Sequence, residues 1–318
     1  MSEYTNYNFG HDEFDNSAQR LREWKWSQIP ETYWRMPVAF GPMPGPRQTH
    51  FGIARDGTQS TFTTASIKIK TSRTVLQNLF PPGKTSWRFK SPGTVAYCSF
   101  AQTTLGKMHW LGGSGYSHLG LYIHGVEYVK KNGEAVLGTY MPLLFENLTD
   151  PIVSGREELG MPKLYSSIDV ERDSTSYHVR AGWQGITWGN FQLNGLTPIE
   201  SSATGKAGTQ GSMTGDDTDA GILVQRYMPK VGREHKGQAE ADYAVFDRFA
   251  DAKPPPTVHR TWVSNNAKLE INARDWMALP TLHHVIQRLQ EIPVYEIVAA
   301  RLVEGTVVSD VSTAKPIE

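Results

Sequence analysis

Among the residues of this chain able to do chemistry, Lys163 is distinguished by what surrounds it. The stretch SGREELGMPKLY, residues 154–165, packs a helix start, a helix stop, a proline and one lysine into twelve residues. Ser154 and Glu157 fit a capping box, in which the serine hydroxyl accepts from the backbone N–H of Glu157 and the carboxylate reaches back to the N–H of Ser154. Gly160 stands where a left-handed residue ends a helix, and Pro162 forces Met161 out of the helical region. The pattern predicts a helix of little more than one turn, stabilised by its surroundings, whose effect is to fix the direction in which Lys163 emerges. Such a lysine is either a surface charge at a strand start, with Glu157 serving only as a cap, or an aimed amine; spacing alone leaves both readings open.

An aimed amine has to meet a demanding condition. At an ordinary lysine pKa of about 10.4, only roughly 1 molecule in 2,500 is neutral at pH 7, so a nucleophilic lysine needs its pKa lowered by several units. Burial or a neighbouring cation can do this. The next residue is Leu164, which in an extended chain projects to the opposite face. If Lys163 is an aimed amine, dryness supplied by Met161, Leu159, Phe145 and nearby aromatics would have to lower its pKa.

Other candidates carry weaker signals. His283 and His284 are adjacent and diverge by about 100° on a helix, which is not metal-ligand spacing, and no metal site is expected. His109, His118 and His124 lie in HWLGGSGYSHLGLYIH, a Gly-rich segment leading into a strand expected over 119–123, a place where functional groups concentrate. Tyr122 shares a strand face with His124. Gly205-Lys206 and Pro82-Gly83-Lys84-Thr85 lack the earlier glycine of a phosphate loop, and no nucleophile elbow, kinase signature or dinucleotide fingerprint occurs.

The 318-residue chain carries 32 basic and 32 acidic side chains and a single cysteine. Zero formal net charge gives no electrostatic footprint for nucleic acid. One cysteine, Cys98, excludes internal disulfides and multi-cysteine metal sites. No apolar run reaches membrane-span length, and the N-terminal MSEYTNYNFGHDEFD is polar and acidic, unlike a signal peptide. A cytoplasmic protein with no membrane partner and no cofactor is expected.

The elements that must position Lys163 are mostly short strands. Period-two alternation runs through 65–70, 95–99 and 177–183, and helices are expected over 72–79 and 280–290, the latter with Leu282, Val285, Ile286 and Leu289 on one face. Residues 1–36 read as an N-terminal extension with a helix over 16–28. The proline- and glycine-rich loop 36–48 leads into a single domain over 37–318, interrupted by a flexible Gly/Ser/Thr-rich loop at about 201–221.

The order Gly-Arg-Glu, three variable residues, apolar-Pro-Lys resembles the active-site segment of the acetoacetate decarboxylase family, whose lysine forms a Schiff base with a keto acid. Residues 140–157 (YMPLLFENLTDPIVSGRE), 66–83 (SIKIKTSRTVLQNLFPPG) and 279–308 are similar to its feeding strand, its early strand and helix, and its C-terminal helix and last strand. The resemblance runs in consistent order from about Pro37 to Val308. It implies a β-rich α+β fold, a barrel or cone with a few peripheral helices, and a homo-oligomer. It implies that Lys163 forms the imine, with Arg156 and Glu157 of the same motif beside it. The family's second lysine is replaced by Leu164, and its two cavity glutamates fall near Cys98 and His124. Its cavity arginine falls near Thr63, with Arg47 of the Pro-Gly-Pro-Arg loop as a substitute. The expected site therefore comprises Lys163, His124, Glu157 and Arg156 for catalysis, with Cys98, Tyr122, Phe145, Met161 and Arg47 contacting the substrate. A histidine at position 124 suits aldol and dehydration steps better than decarboxylation. The expected function is a Schiff-base lyase acting on a keto acid larger or less charged than acetoacetate, or on a related carbonyl compound, by decarboxylation or by aldol and dehydration chemistry through an imine on Lys163. The alternative is a non-covalent isomerase, cyclase or binding protein using the same cavity.

Overall fold

The computed structural model describes residues 32–50, 52–55, 57–199, 220–251, 254–307 and 313–317. The helix expected over 16–28 and nearly all of the 201–221 loop lie outside them. In chain order the strands are β1 (Thr61–Ser72), β2 (Trp87–Phe89), β3 (Val95–Gly106), β4 (Tyr116–Val129), β5 (Ala135–Glu146) and β6 (Lys163–Tyr165). They continue with β7 (Ser167–Arg172), β8 (Ser176–Trp183), β9 (Ile186–Asn194), β10 (Thr197–Ile199) and β11 (Gly221–Pro229). The last five are β12 (Ala239–Arg248), β13 (Thr257–Val263), β14 (Asn266–Ile271), β15 (Glu296–Thr306) and β16 (Lys315–Ile317). Among the described residues three α-helices accompany them: α1 (Arg73–Gln77), α2 (Thr149–Leu159) and α3 (His283–Gln290).

Twelve strands form one large curved sheet, ordered β10-β13-β15-β1-β3-β4-β5-β11-β12-β16, with β2 paired to β4 and β6 to β5. A four-stranded sheet, β14-β9-β8-β7, forms the second layer. The β-rich fold with few helices is as expected; the large sheet, among the described residues, stays open where a barrel or cone would close. No helix among them is long and apolar enough to cross a membrane.

Alternation decides which side of the large sheet each residue serves. Ile67 and Ile69 on β1, Cys98 and Phe100 on β3, Leu121 and Ile123 on β4, and Phe145 on β5 belong to one core shared with Val179, Trp188 and Phe191 of the second sheet. Helix α3 adds Ile286 and Leu289 to this core, the face its apolar spacing predicts. It begins at His283, later than residue 280, because Leu282 occupies the cap position. Helix α1 is likewise shorter than expected, and the Ser72 hydroxyl accepts from the N–H of Val75 at its start. The opposite face of the same strands is different in kind. It buries Thr64, Ser66, Ser99, Thr103, His118, His124 and Glu146 beside a smaller apolar cluster of Ala101, Tyr122, Met141, Leu144, Leu159 and Met161.

Strand β6 pairs parallel to β5, with Leu144 opposite Lys163 and Phe145 opposite Leu164. A parallel neighbour cannot be reached by a tight turn, so α2 serves as the crossover. This makes Lys163 and Leu164 project to opposite sides: Leu164 packs against the inter-sheet core, and Lys163 joins the polar face.

Phe145 lies fully in the inter-sheet core, its ring 4.7 Å from that of Trp188. Truncating it leaves a cavity between two layers held apart by their own strands. Phe145→Ala is therefore expected to lower unfolding free energy by about 3–5 kcal/mol, read from urea denaturation.

Candidate active site around Lys163

Helix α2 starts earlier than the capping-box pattern predicts. It spans Thr149–Leu159, with Asp150 in the first turn and Pro151 at the third helical position. Proline is tolerated there because first-turn N–H groups have no intrahelical partner, and the acidic residue favours the helix N-terminus. Ser154 is consequently mid-helix and buried, its hydroxyl directed back to the carbonyl of Pro151 at 3.5 Å, so the Ser154/Glu157 capping box does not form. The predicted stop does form. Gly160 adopts φ 72° and ψ 22°, and the N–H of Met161 bonds the carbonyl of Gly155 at 3.0 Å.

The helix provides the bed on which the Lys163 side chain lies. A Cβ on Gly155 would sit 2.5 Å from Lys163 Cε and 2.6 Å from Nζ, so only the bare backbone of this helical position leaves room for the lysine stem. Lys163 is 9% exposed and Glu146 1%. The ammonium donates to Glu146 Oε1 at 2.8 Å and to the carbonyl of Pro151 at 2.9 Å.

Burial dominates the electrostatics of the pair. It pushes the Lys163 amine below its ordinary pKa; Glu146 opposes this, and Arg47 reinforces it. Burial also raises the Glu146 carboxyl, against the opposing pull of Lys163. Both displacements favour the uncharged pair, an amine and a carboxylic acid, since moving one proton from nitrogen to oxygen removes two charges from a dry place. Glu146 Oε2 is buried with no hydrogen-bond partner.

Three more side chains converge here. His118 is opposite Glu146 in the β4–β5 register and is 8% exposed, with its Nδ1 buried and unpartnered. Burial, then Lys163, lowers its pKa to about 3, so the ring is neutral at physiological pH. The ring of Tyr122 lies over Gly120, and burial together with Glu146 raises its phenol well above the ordinary range. Tyr116, whose ring centroid is 6.5 Å from that of His118, is raised by the same two causes. Arg47 pairs with Glu158 at 2.6 Å and reaches the carbonyl of Ser154, and Arg35 holds the other oxygen of Glu158 at 2.5 Å. These two arginines clamp the segment before β1 onto α2.

The expected residues divide. Lys163, Tyr122 and Met161 share the polar face and its apolar cluster, and Arg47 acts on it electrostatically. His124 shares that face, but its ring is held between Ser99 Oγ at 2.7 Å and Thr139 Oγ1 at 3.2 Å. Cys98 and Phe145 are corrected: both point into the inter-sheet core, because the strand faces alternate and their neighbours Ser99 and Glu146 take the polar side. Arg156 donates to the main-chain carbonyl of Lys163 at 2.9 Å, and the Glu157 carbonyl receives a guanidinium from Arg226 at 2.9 Å. Glu146 and His118 are the partners that sequence reasoning missed or did not choose. The signal for Glu146 was an acid ending the apolar run YMPLLFE, one strand residue after Phe145. Among the described residues no group of three or more His, Cys, Asp or Glu is arranged to hold a metal ion.

The buried neutral histidine makes a pH prediction. His118 has a folded-state pKa below its ordinary 6.5, so the unfolded chain binds the extra proton first and stability falls as pH drops from about 6.5 toward 3. His118→Asn should flatten that loss by up to about 1.4 kcal/mol per pH unit within this window, read from denaturation midpoints across a pH series.

Comparison with solved structures gives the same fold. An acetoacetate decarboxylase matches with TM-score 0.56 at 15% identity, covering 85% of this chain and 94% of its own. The acetoacetate decarboxylase of Legionella pneumophila matches with TM-score 0.55 at 14% identity, covering 91% and 97%. An acetoacetate decarboxylase-like enzyme of Sphingomonas wittichii matches with TM-score 0.54 at 13% identity, covering 91% and 99%. Among curated protein sequences none matches this chain significantly. The acetoacetate decarboxylase family model matches residues 35–315, nearly the whole described chain and every residue around Lys163 named above, and on that match this protein belongs to the acetoacetate decarboxylase (ADC) family.

Proposed function

We propose that this protein is a Schiff-base lyase in which Lys163 forms an imine with a small keto acid. The observation that carries the reading is the buried Lys163–Glu146 pair, at 2.8 Å, with burial acting on both partners toward their uncharged forms. Membership of a family that includes decarboxylases supports it.

The chemistry follows from where the proton rests. With the proton on Glu146, the Nζ lone pair attacks the substrate's carbonyl carbon, and a C–N bond forms as the carbonyl π pair moves to oxygen. A proton passed from the attacking nitrogen to that oxygen gives the hydroxyl of a neutral carbinolamine. A second proton, from the Glu146 carboxyl, lets it leave as water and gives an iminium. The iminium accepts the electron pair of a bond β to nitrogen. In a β-keto acid that bond joins the carboxylate, which leaves as carbon dioxide, and the resulting enamine is protonated on carbon and hydrolysed. If a C–H bond breaks instead, the enamine is poised for aldol addition and dehydration. Arg47, whose charge is felt at Lys163, favours an anionic substrate. Proton exchange with bound substrate is assigned in this reading to the His118 ring and Tyr122, which lie on the same sheet face as Lys163.

Borohydride trapping tests the covalent step. Pyruvate, acetoacetate and larger keto acids are each incubated with the protein and reductant, and the protein is mapped by mass spectrometry. A stable adduct on Lys163 is expected, absent in Lys163→Ala and formed about 10²-fold or more slowly in Glu146→Gln, which keeps the shape but cannot take the proton. No adduct with any of the keto acids would overturn the imine and leave the site to a non-covalent isomerase, cyclase or binding role.

The assembly is proposed to be a homo-oligomer. Val294, Tyr295, Ile297 and Val298 are exposed together at the start of β15, a run of apolar side chains that a second copy would cover. Light scattering should return a multiple of 35.5 kDa, and a monomer at micromolar concentration would refute the assembly.

A further inference from the structure

Behind the strand that carries Lys163, the end of α2 and the middle of β11 enclose a hollow of about 200 Å³ lined by Arg156, Gly160, Met161, Pro162, Gln225 and Arg226, with Tyr227 and Met228 at its rim. We propose that this hollow binds a small oxyanion, a phosphate or a carboxylate, at a site separate from the Lys163 amine.

Charge is the first argument. Arg156 spends one nitrogen on the carbonyl of Lys163, and Arg226 spends one on the carbonyl of Glu157, both at 2.9 Å. Among the described residues neither guanidinium pairs with a carboxylate; their hydrogen bonds are to main-chain carbonyls. Gln225 offers no compensation, since its amide oxygen takes Trp87 Nε1 and its amide nitrogen gives to Asp242, which in turn holds Lys84. Two cations thus face one hollow with no counter-charge among these neighbours.

Donor geometry is the second argument. Capping a carbonyl in the last turn of α2 explains one nitrogen of Arg226, and holding the strand carbonyl of Lys163 explains one nitrogen of Arg156. These contacts leave the others, and Arg226 Nε is buried with no hydrogen-bond partner. A guanidinium is a rigid fork of five donors whose spacing matches two oxygens of a carboxylate or phosphate. Arg226 is already held for such a role: its stem rests where a Cβ on Gly160 would stand, 2.7 Å from the position of that absent atom, and its guanidinium carbon lies 5.9 Å from the centre of the Tyr243 ring. An oxyanion seated between the two arginines would supply the missing charge and accept the idle donors.

Calorimetric titration of the full-length protein with inorganic phosphate, and separately with citrate, tests this independently of any imine chemistry. Binding with Kd on the order of 1 mM or tighter is expected for at least one anion, and the preferred one assigns phosphoryl or carboxylate chemistry to the hollow. Arg226→Gln and Arg156→Gln should each raise Kd about tenfold. Arg156 is exposed, so its variant reports on binding even if the Arg226 change disturbs α2. Lys163→Ala should leave Kd unchanged. Absence of binding by both anions, or binding that survives both arginine changes, or binding that is lost only in Lys163→Ala, would overturn the proposal.

Discussion

The arrangement depends on one proton shared across 2.8 Å between Lys163 and Glu146. In water such a pair is two well-solvated ions of modest mutual attraction; in a dry site the cost of holding both charges grows until the uncharged forms compete. The structure around the pair serves dryness. Leu144, Leu159 and Met161 crowd it with apolar groups, Tyr122 lies over Gly120 beside them, and the nearest histidine carries no charge. A second lysine beside Lys163 would have been an alternative way to weaken its hold on a proton. Leu164 points into the inter-sheet core and contributes to packing there instead.

Two faces of one sheet do different work. The face toward the second sheet is a conventional apolar core, and its strength lets the other face carry buried serine, threonine, histidine, glutamate and lysine. Unpaired polar groups on that side cost stability, so the open nitrogen of His118 and the open oxygen of Glu146 mark where a ligand would restore what folding left unsatisfied. The paired groups, His124 between Ser99 and Thr139 among them, are already settled and read as framework.

How much of this was legible follows from the range of the interactions involved. Gly160 and Pro162 act within a few residues, so the end of α2 and the emergence of Lys163 could be read directly. The start of α2 could not be located by Ser154 and Glu157, because a serine followed three residues later by glutamate also occurs inside helices; Asp150-Pro151 was the truer start. Glu146 was hidden because its burial is decided by β6 lying parallel to β5, a pairing made through a crossover. Cys98 shows how narrow the margin is on a strand: one residue further along, Ser99 is on the polar face, and a one-residue error in an inferred alignment moves a side chain through the sheet. His118 and His124 are on the same face, and only the register against Glu146 selects between them.

Gly155 has a consequence for stereochemistry. With the backbone of α2 lying directly against Lys163 Cε and Nζ, one side of the nitrogen is walled by peptide, and Glu146 stands 2.8 Å from it. A planar C=N group built on that nitrogen would have two faces that differ completely in access: one shielded by the helix, one turned toward Glu146, His118 and Tyr122. A proton or a carbon nucleophile could then reach it from a single direction, and a new stereocentre would be formed with one handedness, set by the absence of a single methyl group from a helix.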